Sequence, residues 1–285
     1  MPHPDPAIIF HAGFHKTGTT SLQAALGMHA PALSPVFAIQ TRATSPRLLA
    51  AADAARDHSA GPTPQTATRL SDTLTGWASG LSVQPGQGLL VSCEDFAGHM
   101  PGRFGVPDYR AVIPVATAIR HALLARWPAH RLTFLITTRE PDAWLRAIHW
   151  QLSKHDALTL GPGRFARTFA AAADFAPLLA ALRAALPETP VIDADLHDLA
   201  PRRLGPVEAM YDAASLPCDL RASLPAPPHA NRSPQHDLAR VFVKLNRSDL
   251  PRAEVRRLKR AMLTAEELLL GDGDVFAVPS EDPLR

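Results

Sequence analysis

Ala7-Ile8-Ile9-Phe10-His11-Ala12-Gly13-Phe14-His15-Lys16-Thr17-Gly18-Thr19-Thr20-Ser21-Leu22 separates into three parts by side-chain type alone. Ala7 to Ala12 is a short β-branched apolar run with the length of a buried strand. Gly13 and Gly18 bracket a loop. From about Thr19 the residues Leu22, Ala25, Leu26 and His29 recur at helical spacing, and Pro31 with Pro35 closes the segment. The order is strand, loop, helix.

The same alternation continues outward. Residues 44–80 predict two helices separated by the turn-forming Gly61-Pro62-Thr63-Pro64. Gly88-Leu89-Leu90-Val91-Ser92-Cys93 reads as a second buried strand, ending in Glu94-Asp95-Phe96. A helix is expected from Ile113 to Trp127, then a third strand at Arg131–Thr138, leaving through Arg139-Glu140-Pro141. Pro141 suits the first turn of a helix whose apolar face holds Trp144, Leu145, Ile148 and Leu152. Strands alternating with helices favour an α/β fold with a parallel sheet covered on both faces and ligands at the carboxyl ends of the strands. The three polar strand exits should therefore share one rim. Beyond residue 155 the sequence suggests an Ala/Leu helix around 165–186, a short strand at Pro190-Val191-Ile192, and helices near 233–247 and 251–270. Pro225-Ala226-Pro227-Pro228 looks like a rigid surface linker, and the last dozen residues are expected to be poorly ordered.

Composition narrows the class. The 285 residues suit one α/β domain over 1–285, with 46% hydrophobic and 20% charged residues giving a globular balance. A net charge of +2 is too mild to argue for nucleic acid and fits a small anion better. Cys93 and Cys218 form no C-x-x-C pattern, so neither a disulfide framework nor a zinc site is indicated. Met1-Pro2-His3-Pro4-Asp5-Pro6 has no secretory character and no long apolar stretch follows, so a cytoplasmic location without a membrane span is expected.

Gly13, Gly18 and Thr20 reproduce the skeleton of the phosphate-binding loop G-x-x-x-x-G-K-[ST], but Thr19 stands in the lysine slot and Lys16 lies inside the loop. Such a loop still presents backbone N–H groups at a helix N-terminus, which favours a bound phosphate. Only the direction of the side-chain cation changes. Lys16-Thr17-Gly18-Thr19-Thr20 resembles the donor loop K-[TS]-G-[TS]-[TS] of the PAPS-dependent sulfotransferases, and the longer His15–Gln23 stretch looks most like bacterial members. The resemblance implies a P-loop-type fold that takes 3′-phosphoadenosine 5′-phosphosulfate (PAPS), with His15, Lys16, Thr17, Gly18, Thr19, Thr20 and Ser21 around its 5′-phosphosulfate. Lys16 would contact the oxygen bridging phosphate and sulfate. Arg139, in an R-x-P-x-x-W pattern with Pro141 and Trp144, matches the arginine that holds the 3′-phosphate. The serine expected eight residues later is Ala147, and Gln151 or Lys154, further along the same helical face, would have to compensate.

Ser92 and Glu94 match an S-x-E found after this strand in the bacterial sequences that the chain resembles, and the resemblance favours Glu94 over Asp95 as the base that takes the acceptor's proton. His15 is the second candidate base. His11 flanks the loop as a candidate substrate contact, His149 lies on the helix after Arg139, and Asn231-Arg232-Ser233 resembles a late segment of bacterial members without an assignable role. The resemblance covers residues 7–154, leaving 155–285 as a helical part facing the acceptor. That acceptor would be a small molecule or glycan, and no metal is required.

Two alternatives stay open. An apolar strand ending in acidic residues also suits an ATP-dependent phosphotransferase holding Mg²⁺, although Thr19 replaces its lysine. A protein that binds PAP without turnover is consistent with Ala147.

Overall fold

The computed structural model describes residues 6–155, 157–227 and 238–270. Its sheet has five strands, all parallel, in the order β2-β3-β1-β4-β5. They are β1 (Ala7–His11), β2 (Phe37–Thr41), β3 (Gly88–Ser92), β4 (Arg131–Thr138) and β5 (Val191–Asp195). The expected strands all form. β2 has no signature in the sequence, because five residues at a sheet edge with only Phe37 and Thr41 buried carry no clear alternation.

β1 lies at the centre, so its side chains serve both layers. Ile8 and Phe10 enter one core together with Leu74, Trp77, Phe96, Phe134 and Trp144. Ile9 enters the other with Leu22, Leu26, Leu90 and Leu135. Alternation along a strand puts neighbours on opposite faces, and a strand buried on both sides must be apolar throughout. Helices α2 (Pro46–Ala60), α3 (Pro64–Ser79), α4 (Val112–Arg126) and α5 (Pro141–Ser153) cover the first face. Helix α1 (Thr19–Leu33) and the helix Val207–Ala213 cover the second. Ser45 caps α2 by accepting from Leu48 N, and Thr63 forms a capping box with Thr66 at α3.

Three details depart from expectation. α1 runs through Pro31 into its last turn, and the carbonyl deprived of a partner belongs to the exposed Gly27. The single helix expected over 165–186 is three pieces, Pro162–Thr168, Ala170–Ala173 and Phe175–Ala185, because Asp174 turns the chain and caps the last by accepting from Ala176 N. Short helices also form at Val207–Ala213 and Cys218–Ser223, where the sequence carries no helical signature. Pro228, the segment Asn231-Arg232-Ser233 and the last dozen residues lie outside the described residues.

The C-terminal helices grip the end of α5. Lys259, fully buried, donates from Nζ to Ser153 O at 2.9 Å and Lys154 O at 3.1 Å, while Asn246 donates to His155 O at 2.9 Å and Leu158 O at 2.7 Å. The last carbonyls of a helix lack internal partners and attract cations, so the two residues close that end. Among the described residues no helix is long and apolar enough to cross a membrane.

Candidate functional site

The parallel sheet brings the exits of β1, β3 and β4 to one rim, and the β1–α1 loop lies across it. Gly18 occupies the N-cap of α1 with φ at +94°, and no side chain caps the helix there. A Cβ on Gly18 would come within 2.7 Å of Leu196 Cδ1, so both conformation and space demand glycine. Lys16 also takes a positive φ, +67°, which turns its side chain out of the loop at some backbone cost. Phe14 anchors the loop from below, its ring stacked between Tyr109 and Phe175 with both centroid separations at 4.6 Å. Trp144 Nε1 donates to His15 O at 3.0 Å, so the R-x-P-x-x-W helix braces the loop from the side.

Beneath the loop runs a buried polar chain. Thr17 Oγ donates to Phe14 O, so toward Thr137 Oγ, 2.7 Å away, it can only accept. Thr137 must then accept from His11 Nε2 at 3.0 Å, and the bare Nδ1 of His11 accepts from Ser92 Oγ at 2.8 Å. The direction of every proton follows from the carbonyl at the end. Burial lowers His11 to a pKa of about 3, consistent with this neutral tautomer. Gly13 lies directly over the chain, and a Cβ there would meet Thr137 Oγ at 2.2 Å and His11 Nε2 at 2.3 Å. His11 therefore supports the loop from below, fully buried with both ring nitrogens engaged. His149 is likewise buried and bonded to Leu160 O.

Cations gather on the outer side. Lys16 as a residue is exposed, yet protein atoms crowd its ammonium, and this desolvation, with Lys154 and Arg139 nearby, lowers its pKa to about 8 against an upward pull from Glu94. Arg139 Nη1 donates to Lys16 O at 3.3 Å, which joins the β4 exit to the loop. Thr19 Oγ, at the first position of α1, is buried and has no hydrogen-bond partner among the described residues. A buried hydroxyl left unpaired beside an uncapped helix N-terminus is a feature that an anion would satisfy.

On the β3 side a short 3₁₀ turn, Glu94–Ala97, splits two adjacent carboxylates into different surroundings. Asp95 points inward to Arg56 at 3.0 Å, Arg42 at 3.2 Å and His15 Nε2 at 3.8 Å. Burial alone would raise its pKa, but the facing His15 imidazole and the two arginines outweigh that and hold it well below the usual carboxylate range. Glu94 is only partly buried, and its Oε2 accepts from Gln23 Nε2 at 2.8 Å. The other ring nitrogen of His15, Nδ1, lies 3.1 Å from the Tyr109 hydroxyl.

Lys16, Gly18, Thr19, Arg139 and Glu94 are thus brought to one rim by three strand exits, with His15 at its edge. Thr20 is exposed and Ser21 partly so in the first turn of α1. Thr17 faces the opposite way, its hydroxyl engaged under the loop. Ala147 and Gln151 are partly buried on α5, and of that helix face it is Lys154 whose charge is felt at Lys16. Sequence reasoning assigned no role to Gln23, Tyr109, Arg42 or Arg56. Gln23 alone carried a signal, one turn beyond Thr19 in the helix that opens at the loop. Comparison with family models, curated proteins and solved structures finds no match for the chain.

Proposed function

We propose that the protein is a sulfotransferase of P-loop type that moves a sulfuryl group from PAPS to a hydroxyl or amine of a small-molecule or glycan acceptor. The observation that carries this reading is the uncapped N-terminus of α1, with the orphaned Thr19 hydroxyl inside it and the lowered Lys16 ammonium, repelled by Lys154 and Arg139, at its mouth. Such an arrangement suits a polyanion. Thr19 and the loop amides would hold the 5′-phosphate, Arg139 the 3′-phosphate, and Lys16 the oxygen between phosphorus and sulfur. As the acceptor's oxygen or nitrogen bonds to sulfur, the bond from sulfur to that bridging oxygen breaks, its electron pair stays on the departing PAP beside Lys16, and Glu94 takes the acceptor's proton.

The two carboxylates support different roles. Asp95, kept ionised by its arginines, is a weak base, whereas Glu94 stands at the rim and has one oxygen beyond the Gln23 contact. His15 has both ring nitrogens facing protein partners, which favours Glu94 over it. The phosphotransferase alternative has less support, since the slot of its lysine is filled by the buried Thr19.

Thermal denaturation in the presence of ligands separates the readings. PAP without divalent metal should raise the melting temperature, and PAPS should be converted to PAP when an acceptor panel of phenols, amines and sugars is supplied. Stabilisation by ATP with Mg²⁺ but not by PAP would replace this reading with the phosphotransferase. Stabilisation by PAP without turnover on any acceptor would leave a nucleotide-binding protein.

A further inference from the structure

We infer that Gln23 is the positioning residue that fixes the Glu94 carboxylate against the loop. Its Nε2 lies 2.8 Å from Glu94 Oε2 and 3.2 Å from Ser92 O. Both partners are acceptors only, an ionised carboxylate and a peptide carbonyl, so the amide must present its NH₂ end, and that end has two hydrogens for two acceptors. The orientation follows from chemistry. Gln23 projects from α1, the helix that begins at Gly18, and it reaches the last residue of β3 and the side chain two positions beyond.

A carboxylate following a strand on a 3₁₀ turn has free side-chain torsions and would sample several rotamers at the rim. The Gln23 bridge removes that freedom by referring Glu94 to two fixed points, the strand end and the helix that carries the loop. Catalysis by a base requires its oxygen within about 2.6–3.2 Å of the proton it removes, so holding Oε2 on Gln23 restricts where Oε1 can stand and leaves it for that work. The bridge continues the buried chain beneath the loop, because Ser92, whose carbonyl receives Gln23, gives its hydroxyl to His11. One side of the site is thereby referred to the other through three side chains.

This role rests on the reading of Glu94 as the base, and the test is arranged to separate the two. Gln23→Met, which keeps the shape of the side chain and deletes both hydrogens, is combined with Glu94→Gln in a double-mutant cycle, with PAP release from PAPS as the readout. Gln23→Met should lower kcat about tenfold with KM for PAPS unchanged, and should cost nothing further when Glu94 is already glutamine. Additive losses, a raised KM at constant kcat, or full activity in Gln23→Met would overturn the inference. Near-native turnover in Glu94→Gln would instead remove the base assignment. A readout that needs no turnover is the side-chain amide signal of Gln23 in a ¹⁵N-labelled protein, identified by its loss in Gln23→Met. It should be displaced from free-glutamine values and move on Glu94→Gln. A signal at free-glutamine values, indifferent to that substitution, would show that no bridge exists. If Gln23→Met folds poorly, Gln23→Glu takes its place, with a larger fall in kcat expected from the added like charge and full activity again counting against the inference.

Discussion

Ser92 Oγ and His11 Nδ1 stand 2.8 Å apart in the floor of the loop, and the hydroxyl is the one that donates. Replacing His11 by Ala should leave the Ser92 hydroxyl buried without a partner, at about 1–3 kcal/mol, while Thr137 keeps its bond to Thr17 and loses only the donor above it. Denaturant titration should show the loss, and PAP should bind less tightly as the loop loses its support. The acid response follows from the same histidine. Its folded pKa of about 3 lies below the ordinary 6.5, so below neutrality the unfolded chain takes up a proton that the folded chain refuses, and stability falls as pH drops from 6.5 toward 3. Denaturant midpoints for wild type and His11→Phe across that window should differ in slope, the variant being flatter.

Lys16 should make affinity for PAP depend on alkaline pH. With its pKa near 8 in the free protein, affinity should weaken as pH rises from 7.5 to 9.5 and the ammonium is lost. Lys154→Ala removes one of the repelling cations, so affinity at pH 7 should drop while the alkaline fall moves to higher pH. Calorimetric titration at several pH values reads both effects. An unchanged alkaline limb in Lys154→Ala would show that the two ammonium groups do not interact.

Arg139→Ala should weaken PAP far more than adenosine 5′-phosphosulfate, since only PAP carries the 3′ group and a charge-assisted hydrogen bond contributes about 1.5–3 kcal/mol. A smaller loss common to both ligands is expected as well, because Arg139 also holds Lys16 O. Ala147→Ser should leave affinity for PAP equal or tighter. Equal losses for both ligands in Arg139→Ala would mark the arginine as a brace of the loop alone.

Glu94→Gln should reduce turnover about 10²–10⁴-fold with affinity for PAP nearly intact. His15→Asn is the matched comparison. Its loss should be smaller and accompanied by lower stability, since the imidazole bridges Tyr109 and Asp95. Rates and melting temperatures measured together distinguish the two outcomes, and the reverse order of rate losses would pass the role of base to the histidine.

The sheet was legible in the sequence wherever a strand was buried on both faces, because Ile8-Ile9-Phe10 and Leu89-Leu90-Val91 leave no polar position to confuse the pattern. The edge strand β2 was not, since half-exposed residues such as Ala38 and Gln40 are equally at home in a loop. At the site, Gly18 could be read because the backbone there demands glycine, and Lys16 because it stands inside a loop whose usual lysine slot is filled by Thr19. The inward turn of Thr17 and the arginine shell of Asp95 could not, since they depend on Thr137, Arg42 and Arg56, which only the tertiary fold brings near. His11 looked like a loop-flanking group in sequence, yet it is the last residue of a central strand and therefore interior.

The close approach at Gly13 carries an evolutionary consequence. With His11 Nε2 and Thr137 Oγ both inside 2.4 Å of where a Cβ would stand, position 13 cannot gain a side chain while those two partners keep theirs. A lineage that shortened the residue at 11 or 137 would release that restriction and, in the same step, break the proton order that runs from Ser92 to Phe14. Positions 11, 13, 17, 92 and 137 are therefore expected to drift together or not at all, so that among homologous chains they would change as one correlated group while their neighbours on the exposed face of α1 varied independently.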